Sequence, residues 1–209
     1  MTRTRTRHPA SPPPAVATAV CIGGLALAAV ASWGNLLLLV WGRVVPGWAV
    51  SAPLLVGALV LRRTLTRAGR APGACGLPGR RAGWAAPWTR VGSSLLAAAA
   101  LLGTAWGAVD DLVSDARYHV LRPPGPGGCT AVVRETSFLV IGNGEAYAVG
   151  RTGWALGEAG SWTVDDGYRP VGAGGYTLEW GPDGGLLRVS GTRTDPVLRG
   201  GLTDLDCGW

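Results

Sequence analysis

The chain has no lysine, and none of its thirteen acidic residues comes before Asp110. It has two histidines, His8 and His119, which lie on opposite sides of the apolar part of the sequence. No Ser-His-Asp or Cys-His set can be assembled from them. No phosphate-binding or dinucleotide-binding glycine motif follows a strand-like segment. The four cysteines include no closely spaced pair, which excludes a dithiol redox motif. No catalytic residue, metal site or cofactor is therefore assigned, and the chain reads as a non-enzyme. The long apolar runs contain no Asp, Glu, Lys or Arg. Ionisable groups at membrane depth mark ion and proton paths, so this absence argues against a channel, pump or transporter.

What is present is a charge split. Eleven arginines and no acid precede Asp110, whereas eight arginines face thirteen acids from there on. The net charge of +6 does not point to nucleic acid, because the arginines flank apolar runs instead of forming a stripe on a folded domain. Ala, Gly and Arg abound, which is a bacterial GC-rich codon habit and lowers the weight of small-residue patterns.

Three apolar runs span residues 15–41, 44–61 and 91–109. A helix needs about 20 residues to cross a hydrocarbon core of about 30 Å. Each run is therefore expected to be a transmembrane helix, the first two forming a hairpin about the turn at 42–47 with Trp41 and Trp48 in an aromatic belt. Pro53 would kink the second helix. The basic flanks set the orientation. Arg3, Arg5 and Arg7 precede the first run, and Arg62, Arg63, Arg67, Arg70, Arg80, Arg81 and Arg90 lie in an Arg-rich loop at 62–90. The positive-inside rule places the tail at 1–14 and that loop in the cytoplasm, and everything after Val109 outside the cell membrane. A cleavable signal peptide ending near Ala31 is the alternative for the first run. Cys21 lacks a lipoprotein context, and Cys75 reads as a free thiol in the loop. In the third run Ala99, Gly103 and Gly107 recur at four-residue spacing, a face suited to helix packing.

Beyond the juxtamembrane segment and Pro/Gly linker at 110–128, Cys129 and Cys207 bracket a domain at 129–209. Outside the cytoplasm such a pair reads as a disulfide, worth about 4–5 kcal/mol by loop closure. Between them the pattern is β. Asn143-Gly144 between two apolar segments predicts a hairpin turn, with Val140 opposite Tyr147 and Phe138 opposite Val149. A second hairpin is expected from the alternation in Tyr176–Trp180, the turn at 181–185 and the returning strand Leu186–Ser190. The expected fold is three transmembrane helices plus a small all-β, disulfide-stapled extracytoplasmic domain, an antiparallel sandwich or barrel.

Two local clusters invite a site. Asp111, Asp115 and His119 share helical spacing, and Asp165-Asp166-Gly167-Tyr168-Arg169 is dense in polar groups; the first reads as a solvated face, the second as a turn. The expected role is a multi-span membrane protein displaying a binding or interaction module, with the lipid bilayer and an envelope protein or glycan as partners. Trp154, Trp162, Trp180 and Tyr147 are the candidate contacts. The alternatives are an envelope enzyme using carboxylates among Glu135, Glu145, Glu158 and Glu179, or an accessory subunit of a membrane complex.

Overall fold

Helices form where apolar residues with good helical propensity run without interruption, and they stop where another element claims the chain. A computed structural model describes residues 14–68, 85–191 and 198–208. Helix α1 (Pro14–Trp33) ends at Gly34 and Asn35, the latter with φ of 47°. The chain then turns into strands β1 (Leu36–Val40) and β2 (Arg43–Pro46) before helix α2 (Gly47–Ala68) begins. Helix α3 (Ala85–Val113) completes an antiparallel bundle whose core is Cys21, Leu25, Ala28, Leu55, Ala58 and Ala100.

This overturns the expectation of three transmembrane helices. Leu36–Val40, the end of the first run, is a strand, and the apolar helix that remains there is Thr18–Trp33. The second run loses residues 44–46 to β2, leaving about 15 apolar residues from Gly47 before Arg62, too short for a core of about 30 Å. Among the described residues, α3 over Val91–Val113 is the one helix long and apolar enough to cross a membrane. The aromatic belt goes with that correction. Trp41 sits at the tip of the β1–β2 turn, 99% exposed, whereas Trp48 lies in the first turn of α2 and donates its indole N–H to Asp111. Arg3, Arg5, Arg7, Arg70, Arg80, Arg81 and Cys75 lie outside the described residues, as does the side chain of Arg90. Arg62 donates to Ser94 Oγ at 3.1 Å.

The β part follows α3. Strand β3 (Arg117–Val120) pairs with β4 (Thr130–Phe138), which pairs with β5 (Ile141–Val149). After β6 (Trp154–Leu156) come β7 (Gly160–Asp165), β8 (Tyr176–Trp180), β9 (Gly185–Val189), β10 (Leu198–Arg199) and β11 (Leu202–Leu205). They make three antiparallel sheets in the orders β2-β1-β6, β10-β7-β5-β4-β3 and β11-β9-β8. The five-stranded sheet lies between the other two. One of its faces sends Ala131, Val133, Ala146, Trp162 and Val164 against Leu187, Val189 and Leu205. The other sends Val132, Tyr147 and Val149 against Leu37 and Ala155. Alternation along β4 and β5 produces both cores at once, because successive side chains point to opposite faces. Segment 36–46, expected as the end of one membrane helix, a turn and the start of the next, thus supplies two of the three strands of the outer β layer. Cys129 and Cys207 form the disulfide that the sequence predicts, and Cys129 is fully buried.

The β4–β5 turn is not at Asn143-Gly144. It is two residues, Leu139 and Val140, and the register pairs Val132 with Tyr147 and Glu135 with Gly144. Gly144 is needed mid-strand for a different reason: a Cβ there would overlap the indole of Trp162, and one at Gly142 would come within 2.6 Å of the Tyr168 carbonyl. Glycine marks close approach in this strand, not reversal.

Replacing Gly144 by Ala should lower stability by about 1–3 kcal/mol through overpacking against Trp162. Gly57→Ala, in an exposed helical position with nothing within 4 Å of the new methyl, should be neutral or stabilising. Denaturant unfolding of the two variants checks this; equal midpoints would contradict it.

Candidate functional site at the helix–sheet junction

The face of β4 and β5 that carries Val132 and Tyr147 continues, two residues on in β4 and two residues back in β5, into Arg134 and Glu145. These two are register partners. They meet the C-terminal end of α3, which carries the first two acids of the chain, Asp110 and Asp111. The Arg134 guanidinium meets all three carboxylates. Its Nε and one terminal nitrogen donate to Asp111 Oδ1 at 3.0 and 2.7 Å, and the same terminal nitrogen reaches Asp110. Its other terminal nitrogen lies 3.3 Å from Glu145 Oε2. Asp111 Oδ2 also accepts the Trp48 indole N–H at 2.6 Å and the Tyr118 hydroxyl at 3.0 Å. The Tyr147 hydroxyl donates to Glu145 Oε2 at 2.7 Å. One cation therefore ties α3, β4 and β5 together, while Trp48 and Tyr118 bring in α2 and β3.

The electrostatics follow from that packing. Burial works against the charge on Arg134, but Glu145, Asp110 and Asp111 together outweigh it and raise its pKa. Burial, and then the Asp111 carboxylate, push the Tyr118 phenol far above its usual range. Burial and Glu145 do the same to Tyr147.

Beside this network lies a cavity of about 210 Å³. Its walls include Asn35 and Trp48 from the bundle side, Trp106 from α3, and Tyr118, Glu145 and Tyr147 from the sheet. Three carboxylates against one guanidinium leave its wall with a formal charge of −2. Asp110 is half exposed and has Arg134 as its ion-pair partner.

A second polar cluster lies on the sheet's other face. Glu135 is 1% exposed, and its two oxygens accept the backbone N–H groups of Val171 and Gly172, each at 2.8 Å. His119 Nε2 stands 3.4 Å from Glu135 Oε2 without hydrogen-bond alignment, so it pairs with the carboxylate by charge alone, and only when protonated. This cluster pins the 170–175 loop. Arg169 clamps the end of α3, donating to Asp115 Oδ2 at 2.9 Å and to its carbonyl at 2.6 Å. That hydrogen bond, and the charge behind it, hold Asp115 below the usual carboxylate range.

The residues singled out in the sequence scatter. Asp111, Asp115 and His119 do not converge: they face Arg134, Arg169 and Glu135 respectively. Among the described residues no group of three His, Cys, Asp or Glu side chains is placed to hold a metal ion. Asp166 and Gly167 have φ of 59° and 62° and form a turn after β7. Glu135 and Glu145 lie on opposite faces of the five-stranded sheet, and Glu158 and Glu179 are exposed. Trp162 and Tyr147 are buried; Trp180 is part-buried and bonds the Pro123 carbonyl, and Trp154 is 48% exposed. Gly103 packs on Ser32 and Trp33, Gly107 packs on Trp48, and the Ala99 carbonyl accepts the Trp33 indole N–H, so this row faces α1 and α2. Sequence reasoning missed Arg134, Tyr118 and Asp110, and gave Trp48 to an aromatic belt and Asp111 to a solvated helix face. The available signal was a single arginine in an apolar strand and two acids directly after an apolar run. Against protein families, curated proteins and solved structures, the chain gives no match.

Because the folded pKa values of Tyr118 and Tyr147 are raised, their contribution to stability is complete below about pH 10 and is lost progressively above it. In native protein between about pH 10 and 12, the variant Y118F/Y147F should show the same tyrosinate absorbance as the parent chain. It should fall short by two tyrosines only after unfolding. A shortfall in the native alkaline range would show that these phenols ionise normally.

Proposed function

We propose that this protein is a non-enzymatic binding module held at the cell membrane through α3, with its β sheets on the extracytoplasmic side. Three features support the placement. The outward side chains of α3, among them Leu95, Leu101, Leu102 and Val109, are apolar and more than half exposed. Arginine without acid precedes that helix. The Cys129–Cys207 disulfide suits an oxidising compartment.

The observation that carries the binding reading is the junction cavity, which combines aromatic walls with an excess of carboxylate. Indole and phenol faces attract cations, and attraction rises where water is displaced. The proposed ligand is a small ammonium group, free or presented by an envelope protein or glycan. The ammonium would lie against Trp48 and Trp106 near the half-exposed Asp110. Chemistry by paired carboxylates is the weaker reading, since Asp111 and Glu145 are already occupied by Arg134, Trp48, Tyr118 and Tyr147.

The test uses the detergent-solubilised full chain. Tetramethylammonium and propylamine should raise its melting temperature and perturb tryptophan emission, while propionate at equal ionic strength should not. Asp110→Asn should weaken the response several-fold. No response, or an equal response to propionate, would refute the reading.

A further inference from the structure

The β4–β5 hairpin closes through Leu139, with φ of 55°, and Val140. Phe138, Leu139, Val140 and Ile141 are 53%, 83%, 66% and 51% exposed. None of the three apolar cores includes them. From Thr136 to Gly144 there is no charge. Four consecutive exposed apolar residues at a hairpin tip are a liability in water unless something covers them.

The position of the tip says what covers it. The Ser137 amide donates to the Ser114 carbonyl at 2.7 Å, and Ser114 is the residue directly after α3. The last turn of α3 itself exposes Leu112 and Val113. The hairpin tip and the end of the membrane-type helix are therefore neighbours, fixed to each other by a backbone hydrogen bond. We propose that residues 138–141 rest in the headgroup region of the bilayer beside the exit of α3, a second and shallow lipid contact that sets the tilt of the β sheets on the membrane. Apolar side chains at that depth gain by leaving water, and large ones suit the interface. Asp165, paired with Ile141 across the sheet, and Asp166 beyond it are exposed and remain in water. They limit the depth of the tip and give it no preference for anionic lipid.

This inference rests on anchoring through α3, and the test separates the two. In the full chain with Cys21 and Cys75 replaced by Ala and the disulfide intact, single cysteines are placed at Leu139, at Val140, at Leu102 on α3, or at Thr177 on an exposed position of β8. Each carries a polarity-sensitive fluorophore and is reconstituted in phosphatidylcholine vesicles containing lipids brominated near the headgroup or, for Leu102 at the middle of Val91–Val113, at mid-chain. The labels at Leu139, Val140 and Leu102 should be quenched at least twofold more than the label at Thr177. Adding anionic lipid should not increase quenching at the tip. Quenching at Leu102 with the tip matching Thr177 would overturn the lipid contact and leave anchoring intact, pointing to a protein partner for the tip. No quenching at Leu102 would remove both.

Discussion

A single guanidinium holds the two parts of this molecule in register. Arg134 comes from the middle of a sheet, and the carboxylates it meets come from the end of a helix and from the neighbouring strand. A buried cation is costly unless it is paired and hydrogen-bonded, and once its partners are in place the same cost opposes their separation. Asp111 is saturated by Arg134, Tyr118 and Trp48, so moving the sheet away from the bundle would strand several groups at once. The Arg169–Asp115 clamp and the Ser137–Ser114 hydrogen bond hold the same helix end from another side. The cavity owes its shape to this closure, and so does the placement of the apolar hairpin tip next to α3.

The connection is also built into the chain path. Residues 36–46 leave the bundle, form the outer β layer with Trp154–Leu156, and return to start α2. Leu37 belongs to the same core as Val132, Tyr147 and Val149. The β part is therefore not an independent unit hung on a linker, and substitutions in 36–46 would act on both halves.

Parts of this were legible in the sequence, and the failures have physical causes. The disulfide could be read because two cysteines bracket a β-patterned segment. The hairpin of Tyr176–Trp180 with Gly185–Val189 could be read because its first strand alternates and a Gly/Pro/Asp turn follows directly. Leu36–Val40 could not: a pure aliphatic run carries no periodicity to separate strand from helix, and its partner β6 lies more than a hundred residues away. Reading it as helix made three membrane crossings seem long enough. Asn143-Gly144 misled for a local reason, because the glycine serves the Trp162 ring and not a turn. That error shifted the register of β4 and β5, and with it hid the pairing of Arg134 with Glu145 on which the site is built.

Arg134 couples the end of α3 to the sheet energetically as well as geometrically. A double-mutant cycle of Arg134→Met and Asp111→Asn, read by denaturant unfolding of the solubilised full chain, tests it most directly. A coupling free energy of about 1.5–3 kcal/mol is expected, the range for hydrogen bonds to charged groups in contact. Additive single variants, with coupling below about 0.5 kcal/mol, would contradict it.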